Sequence, residues 1–352
     1  MIKFFRKIRY KLIENSKMSR YFKYAIGEII LVVIGILLAL QFNNWNEARK
    51  RQLELDKLLY DIEEDLIVNY KQANAVLRFY KKQDSIAKRI AAKELTERDY
   101  RENYGLNYFV ANWDYYVPNE KNVIQFVEAE KIVDLKYKPI LDAAKKLQLY
   151  RSILDDTFSN LEQNIDESVD ILSSRTWFVK NDSISYRQRL DYMLEDPEYE
   201  VMVLKYWIMV QNHYDKISRY RAQTMATLAS IKMIRDNYDT LQLNAMFNSL
   251  GMQQYVVYKC DVNPSELKHL RDLRSSALYG NLSEVDIHLI LTNNKGQHVN
   301  DFRIPPKTFQ TIPGSEYFGI DGDNNLLVNH IDNNGDCITK YGGSDNGYLI
   351  IE

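Results

Sequence analysis

Eighteen residues from Ala25 to Phe42, AIGEIILVVIGILLALQF, carry one charged side chain, Glu28. As a helix rising about 1.5 Å per residue they cover roughly 27 Å, close to the hydrocarbon thickness of a bilayer. The run is longer than a signal-peptide core of about 7 to 15 residues, and Leu38-Ala39-Leu40 puts large residues where a signal peptidase needs small ones. An uncleaved transmembrane helix over 25–45 is therefore expected. Tyr21, Phe22 and Tyr24 on one side and Phe42 and Trp45 on the other suit the two interfaces.

Charge orients the span. Residues 1–24 hold Lys3, Arg6, Lys7, Arg9, Lys11, Lys17, Arg20 and Lys23 against Glu14 alone, whereas the whole chain has 46 bases and 48 acids. The positive-inside rule places this basic tail in the cytoplasm, and Arg49, Lys50 and Arg51 beyond the span are too few to reverse it. Ile2, Phe5, Ile8 and Leu12 recur at helical spacing among the bases, the pattern of a short amphipathic helix on an anionic leaflet; a plain basic tail is the alternative. The rest of the chain is expected outside the cytoplasm. Its net acidity offers no basic face, which excludes nucleic acid as a partner.

From Asn46 to about Ala92 there is no Pro or Gly, and Leu55, Leu59, Ile62, Leu66, Ala73, Leu77 and Tyr80 recur in steps of three and four, with polar Asn69 at the skipped position. This spacing predicts one long helix. Residues 93–118, with Gly105, many aromatics and Pro118, read as a connection at its far tip, and Asn119 as the cap of the next helix. A short helix marked by Val123 to Leu135 meets Pro139, which interrupts or kinks it. A second stripe then runs from Ile140 to about Ser174, a short piece covers 184–194, and a third stripe starts at Pro197 and lasts to about Leu243. Three amphipathic helices need a shared core, so an extended antiparallel helical bundle is expected over 46–250. Counting passes, up, down and up again, the chain would leave this bundle at its membrane-distal end.

Composition changes near Gly251. Gln254–Cys260, Asp286–Leu291, Asn325–Ile331 and Tyr348–Ile351 read as strands, Asn293–Gly296 and Asn333–Asp336 as turns, and Pro264–Tyr279 as a helix, giving a small α+β module over 251–352. The fold class is thus mainly α.

The opening MIKFFRKIRYKLI, then KYAIGEIILVVIGILLALQFNNWNE, a long helix, and an Asn-containing helix start with Ile124 and Tyr150 downstream resemble an uncharacterised family of single-span bacterial envelope proteins with an N-terminal anchor. The resemblance is specific over residues 1–50 and loose to about 245. It implies a single-pass protein of the bacterial inner membrane, and it brings no activity or catalytic residues.

Glu28 is the sharpest candidate for function, because a carboxylate near the middle of a span costs about 2.5–3.5 kcal/mol and commonly pairs or serves an ion path. The bland alternative is an interfacial glutamate reached by Lys23. Gly35 and Ala39, with Gly27 two turns earlier, are small residues suited to helix association, read as a feature apart from Glu28. Asp321, Asp323, Asn325 and Asp332 echo a calcium loop weakly, since Leu326 stands where glycine is needed; Asx-rich turns are the alternative. Cys260 and Cys337 are either a disulfide or two buried thiols. His213, His269, His288, His298 and His330 form no ligand motif, the tyrosines read as packing residues, and no nucleotide loop, nucleophile elbow or CxxC pair occurs.

The expected function is non-enzymatic, without a cofactor. It is that of a membrane-anchored scaffold or binding subunit, with the lipid bilayer and other envelope proteins or a second copy as partners. Alternatives are an ion-coupled stator-type or transport accessory subunit using Glu28, and a ligand sensor signalling through a separate partner.

Overall fold

The computed structural model describes residues 18–180, 182–263, 271–272, 275–293, 295–312 and 325–352. It divides into two compact units, Met1–Leu58 and Leu59–Glu352. The chain is mainly helical, with a long apolar N-terminal helix and a small C-terminal sheet region. Residues 1–17, which hold most of the expected amphipathic tail, lie outside the described residues.

In the first unit runs α1 (Met18–Ala91), which continues unbroken into the second. Its apolar stretch is long enough to cross a membrane and none of its most apolar 18-residue window is buried. Ile29, Leu31, Val32, Leu37 and Leu40 are each more than half exposed. Every backbone donor and acceptor along such a helix is met internally, as a hydrocarbon medium requires.

In the second unit the spacing of apolar residues decides what faces inward. Leu59, Ile62, Leu66, Ala73, Leu77 and Tyr80 of α1 are all buried, and so is Asn69 at the skipped position. After α1 come the short α2 (Glu97–Glu102), opened by a Thr96–Asp99 capping box, a 3-10 segment (Tyr104–Ala111), and an irregular stretch over 112–120. This stretch is held by side chains in place of a strand partner. Tyr206 Oη donates to Asn112 O, Tyr80 Oη donates to Asp114 O at 2.9 Å, and Tyr116 Oη donates to Asn69 O at 3.1 Å. Asn69 itself spans both backbone groups of Asn119, donating from Nδ2 to its carbonyl and accepting its N–H at Oδ1, each at 2.8 Å.

Next come α3 (Lys121–Glu128), α4 (Lys138–Ser173) with Pro139 in its first turn, a single turn Thr176–Val179, and α5 (Ser183–Glu195). The residue at the cap position of α3 is Glu120, which makes no side-chain cap bond; Asn119, expected there, lies one residue earlier, accepts the Lys121 N–H at Oδ1 at 3.3 Å and donates from Nδ2 to Asp65 at 2.7 Å. Pro139 starts α4, since proline in a first turn removes no helical bond. Then follow α6 (Pro197–Arg235), capped by Asp196, and α7 (Thr240–Ser249), capped by Asp239. The helix expected to reach Leu243 stops at Arg235, where Asn237 takes a left-handed conformation with φ 55°.

Contacts give the directions. Glu63 meets Lys232 and Arg235, Asn74 meets Arg221, and Asp84 meets Trp207, so α6 runs antiparallel to residues 59–91 of α1. Ala143 O accepts from Gln223 Nε2 at 3.0 Å while Thr157 meets His213, so α6 is antiparallel to α4 as well. The up, down, up count is therefore overturned. Residues 92–137 make the first return without a long helix, α4 runs parallel to α1, and α6 brings the chain back to Glu63, the end of the unit at which α1 enters.

The sheet region contains β1 (Gln253–Gln254), β2 (Val256–Tyr258), β3 (Arg271–Asp272), β4 (Ala277–Asn281), β5 (Ile287–Asn293), β6 (His298–Ile304), β7 (Thr308–Ile312), β8 (Asn325–Ile331), β9 (Cys337–Gly342) and β10 (Gly347–Ile351). One sheet has the order β1-β10-β4-β7, parallel except for β4–β7. The other is antiparallel, β2-β9-β8-β5-β6, with β3 beside β8. Tyr255, Tyr279, Leu289, Leu291, Val328 and Leu349 join them in one core.

The helix expected over Pro264–Tyr279 is not observed in its described part. Residues 264–270 lie outside the description, 271–272 are β3, and Ala277–Asn281 is a central strand buried at every position. Ala277 and Tyr279 face the inter-sheet core, and the chain just before them meets α6, where Ser276 N donates to Ser218 Oγ at 2.8 Å. A strand covered on both sides lacks the alternation that identifies a strand in sequence. Among the described residues the module is thus all β, in place of α+β.

Candidate functional site

Along the unbroken helix, at about 100° per residue, Gly35 falls about 20° to one side of Glu28 and Ala39 about 20° to the other. These three residues share one face. The separation expected between the small-residue pair and the carboxylate is replaced by a single stripe, with Gly27 about 80° away from Gly35. A Cβ built on Gly27 or Gly35 meets nothing within 4 Å, so the stripe has room for the backbone of another helix.

A second assembly ties the sheets to the helices, and no local pattern announces it. The loop between β9 and β10 carries Asp345 and Asn346 into the angle between α1 and α6. Asp345 receives Lys81 Nζ at 2.8 Å and Ser275 Oγ at 3.3 Å, and its backbone carbonyl accepts from Arg221 Nη2. Arg221 Nη1 also donates to Asn74 Oδ1 at 3.0 Å. Tyr70 Oη and Asn346 bond each other, and Asn346 Nδ2 reaches Gly251 O at 3.0 Å. Five segments far apart in sequence, around 70–81, 221, 251, 275 and 345, thereby meet in one polar joint.

The other ionisable groups of the interior are held in packing contacts. Asp215, 2% exposed, receives Lys216 at 2.7 Å and Arg219 at 3.1 Å. Glu120 accepts Tyr220 Oη at 2.7 Å; burial raises its pKa, and that hydrogen bond opposes the rise. Glu63 binds Lys232 and Arg235, both also bound to Asp236. Burial alone would lower Lys232, but Glu63 and Asp236 outweigh it and raise its pKa. An open cavity of about 440 Å³ lies beside this cluster, lined among others by Glu63, Ile67, Lys232, Tyr238 and Met246. Glu63→Gln should lower stability by about 1–2 kcal/mol in chemical unfolding, with little response to salt, because the two cations left behind are mostly shielded from solvent.

Cys260 and Cys337 are joined by a disulfide. Asp321 and Asp323 lie outside the described residues and so does the side chain of Asn325. Asp332 serves the β8–β9 turn: its Oδ1 accepts from Asn334 N at 2.8 Å and Asp336 N at 2.9 Å, and the bond from Asp336 leads the lowering of its pKa. Among the described residues no group of His, Cys, Asp and Glu is placed to hold a metal ion. His269 is outside the description, and His213 sits in the helical core, 1% exposed. The tyrosines missed as more than filler are Tyr80, Tyr116, Tyr206 and Tyr220, whose hydroxyls pin distant backbone or carboxylate groups, and Tyr70, whose hydroxyl pins the Asn346 amide.

No curated protein and no solved structure gives a match. Residues 28–153 match the model of a family of unknown function, DUF6090, a stretch from Glu28 through α1 and the return segment into α4 that includes Asn69, Asn119 and Tyr150.

Proposed function

We propose that this protein is a membrane-anchored, extracytoplasmic scaffold or binding subunit of a bacterial envelope complex, acting without catalysis. The observation that carries this reading is the pairing, on one chain, of an apolar helix left uncovered among the described residues and a C-terminal module closed by a disulfide. The first suits a bilayer and the second an oxidising compartment. With the basic tail of residues 1–24 held inside, the orientation is N-terminus in the cytoplasm and sheets outside. A helical bundle tied to the sheets through the Asp345 joint supports a rigid spacer and not a hinge. The interior carboxylates Asp215, Glu120 and Glu63 are committed to structural partners, which favours assembly over turnover.

Purification of the full chain from detergent-solubilised bacterial membranes, with identification of what stays bound, tests the reading. Stoichiometric recovery of an envelope protein is expected; turnover of a substrate by the purified chain alone overturns it. Orientation is checked with a membrane-impermeant maleimide on intact cells. Cys260 and Cys337 should label from outside only after reduction, and labelling that requires lysis would reverse the topology.

The alignment of Glu28 with Gly35 and Ala39 favours a second reading, in which the carboxylate is presented to a partner helix for ion coupling. Glu28→Gln then abolishes function while leaving copurification intact, whereas a pure scaffold tolerates the change.

A further inference from the structure

Where the three long helices meet, His213 of α6 is held by contacts that leave no place for a second ring proton. Thr157 of α4 donates its one hydroxyl hydrogen to Leu154 O at 2.9 Å, so across the 3.0 Å contact with the imidazole its oxygen must accept. Nδ1 therefore carries the hydrogen and Nε2 is a bare lone pair. That nitrogen is buried and has no hydrogen-bond partner among the described residues. Aromatic rings close the remaining sides: Tyr80 of α1 stands edge-on with centroids 5.2 Å apart, and Phe158 of α4 lies at 5.5 Å.

The carboxylates on the surrounding elements are either engaged or turned to solvent. On α1, Asp84 accepts Trp207 Nε1 at 2.7 Å, Gln211 Nε2 at 3.1 Å and Lys88 at 2.8 Å. On α4, Asp155 binds Arg151 at 2.8 Å and Asp156 faces solvent. On α6, Asp215 is taken by Lys216 and Arg219, and in the return segment Asp114 receives Tyr80 Oη on its carbonyl and Tyr115 N on Oδ1. An added proton on Nε2 would have no acceptor unless α6 moves away from α1 and α4.

We propose that His213 is a proton-operated release at the α1–α4–α6 contact, loosening that part of the helical core as the surrounding medium acidifies. Burial pushes the packed ring down to about 4 from an ordinary 6.5. The opened ring binds a proton at its ordinary value, so opening takes up a proton and is favoured progressively from about pH 6.5 down to about pH 4. Between pH 7 and pH 5 the open population should rise about 20-fold.

Hydrogen exchange of the full chain in detergent, corrected for intrinsic rates, reads this directly. Amides over 207–219 and 150–158 should lose about 20-fold protection between pH 7 and pH 5, while β5 and β8 keep theirs. In His213→Phe, which fills the aromatic cage, and in His213→Gln, which retains a donor for Thr157, the loss should vanish. An equal pH response in either variant overturns the proposal. So does a His213 ring signal that titrates near 6.5 in the folded wild-type protein, a measurement that needs no variant to fold.

Discussion

Asn69→Leu should lower stability by about 2–4 kcal/mol, although leucine is the residue that the apolar period of α1 calls for at this position. Asn69 is completely buried, and its amide acts as the strand partner that residues 112–120 otherwise lack. Leucine would fit the period and orphan both backbone groups of Asn119. Next to them, Asp65 accepts from Asn119 Nδ2 at 2.7 Å and Asn122 Nδ2 at 2.8 Å, so the start of α3 depends on the same docking. Urea unfolding of the full chain in detergent, followed through Trp113 within the return segment, would show the midpoint shift with an unchanged slope. Asn69→Asp separates the two bonds. It keeps an acceptor for Asn119 N–H but turns a carboxylate toward the Asn119 carbonyl, so at neutral pH it should cost at least as much as leucine. If leucine proves neutral, the return segment is not held in this way.

The same segment marks where sequence reasoning stops. The inward stripe of α1, the proline that opens α6, and the span of β8 are legible because each depends on neighbours within a few residues, whereas Pro139 reads as a break and instead starts α4. Asn69 was visible only as a skipped apolar position, since its partner lies 50 residues away. His213 looked isolated for the same reason, with Thr157 56 residues before it. Counting α4 as the return from the tip inverts the directions of α4 and α6 and puts the chain's exit at the wrong end of the core. The strand β4 was unreadable because cover on both faces removes alternation. The shared face of Glu28, Gly35 and Ala39, by contrast, follows from their spacing of seven and four along one unbroken helix. The Asp345 joint had no local signature at all: its members, Lys81, Arg221, Ser275 and Asn346, are ordinary surface types until the fold brings them together.

Gly343→Ala should cost about 3 kcal/mol or more, through the joint as well as the sheets. A Cβ at Gly343 would stand 1.9 Å from Tyr255 Cε1 and 2.2 Å from Cδ1, and one at Gly347 would stand 2.2 Å from the same Cε1. The Tyr255 ring thus lies against bare backbone at both ends of the loop that presents Asp345 and Asn346. It has no room to retreat, being 4% exposed, packed on Tyr279 at 5.8 Å, and fixed by its backbone N–H to Tyr348 O at 2.9 Å. Alanine must therefore push the loop outward, and the bonds to Lys81, Arg221 and Tyr70 go with it. A double-mutant cycle distinguishes this clash from a general intolerance of the loop. Tyr255→Ala alone should cost about 3–5 kcal/mol for the lost ring, but Gly343→Ala added to it should cost more than 1 kcal/mol less than in the wild type, because the obstructing ring is gone. Additivity within about 0.5 kcal/mol would mean that the ring does not set the position of the loop, and the coupling of sheet to helix would have to be sought in the polar bonds alone.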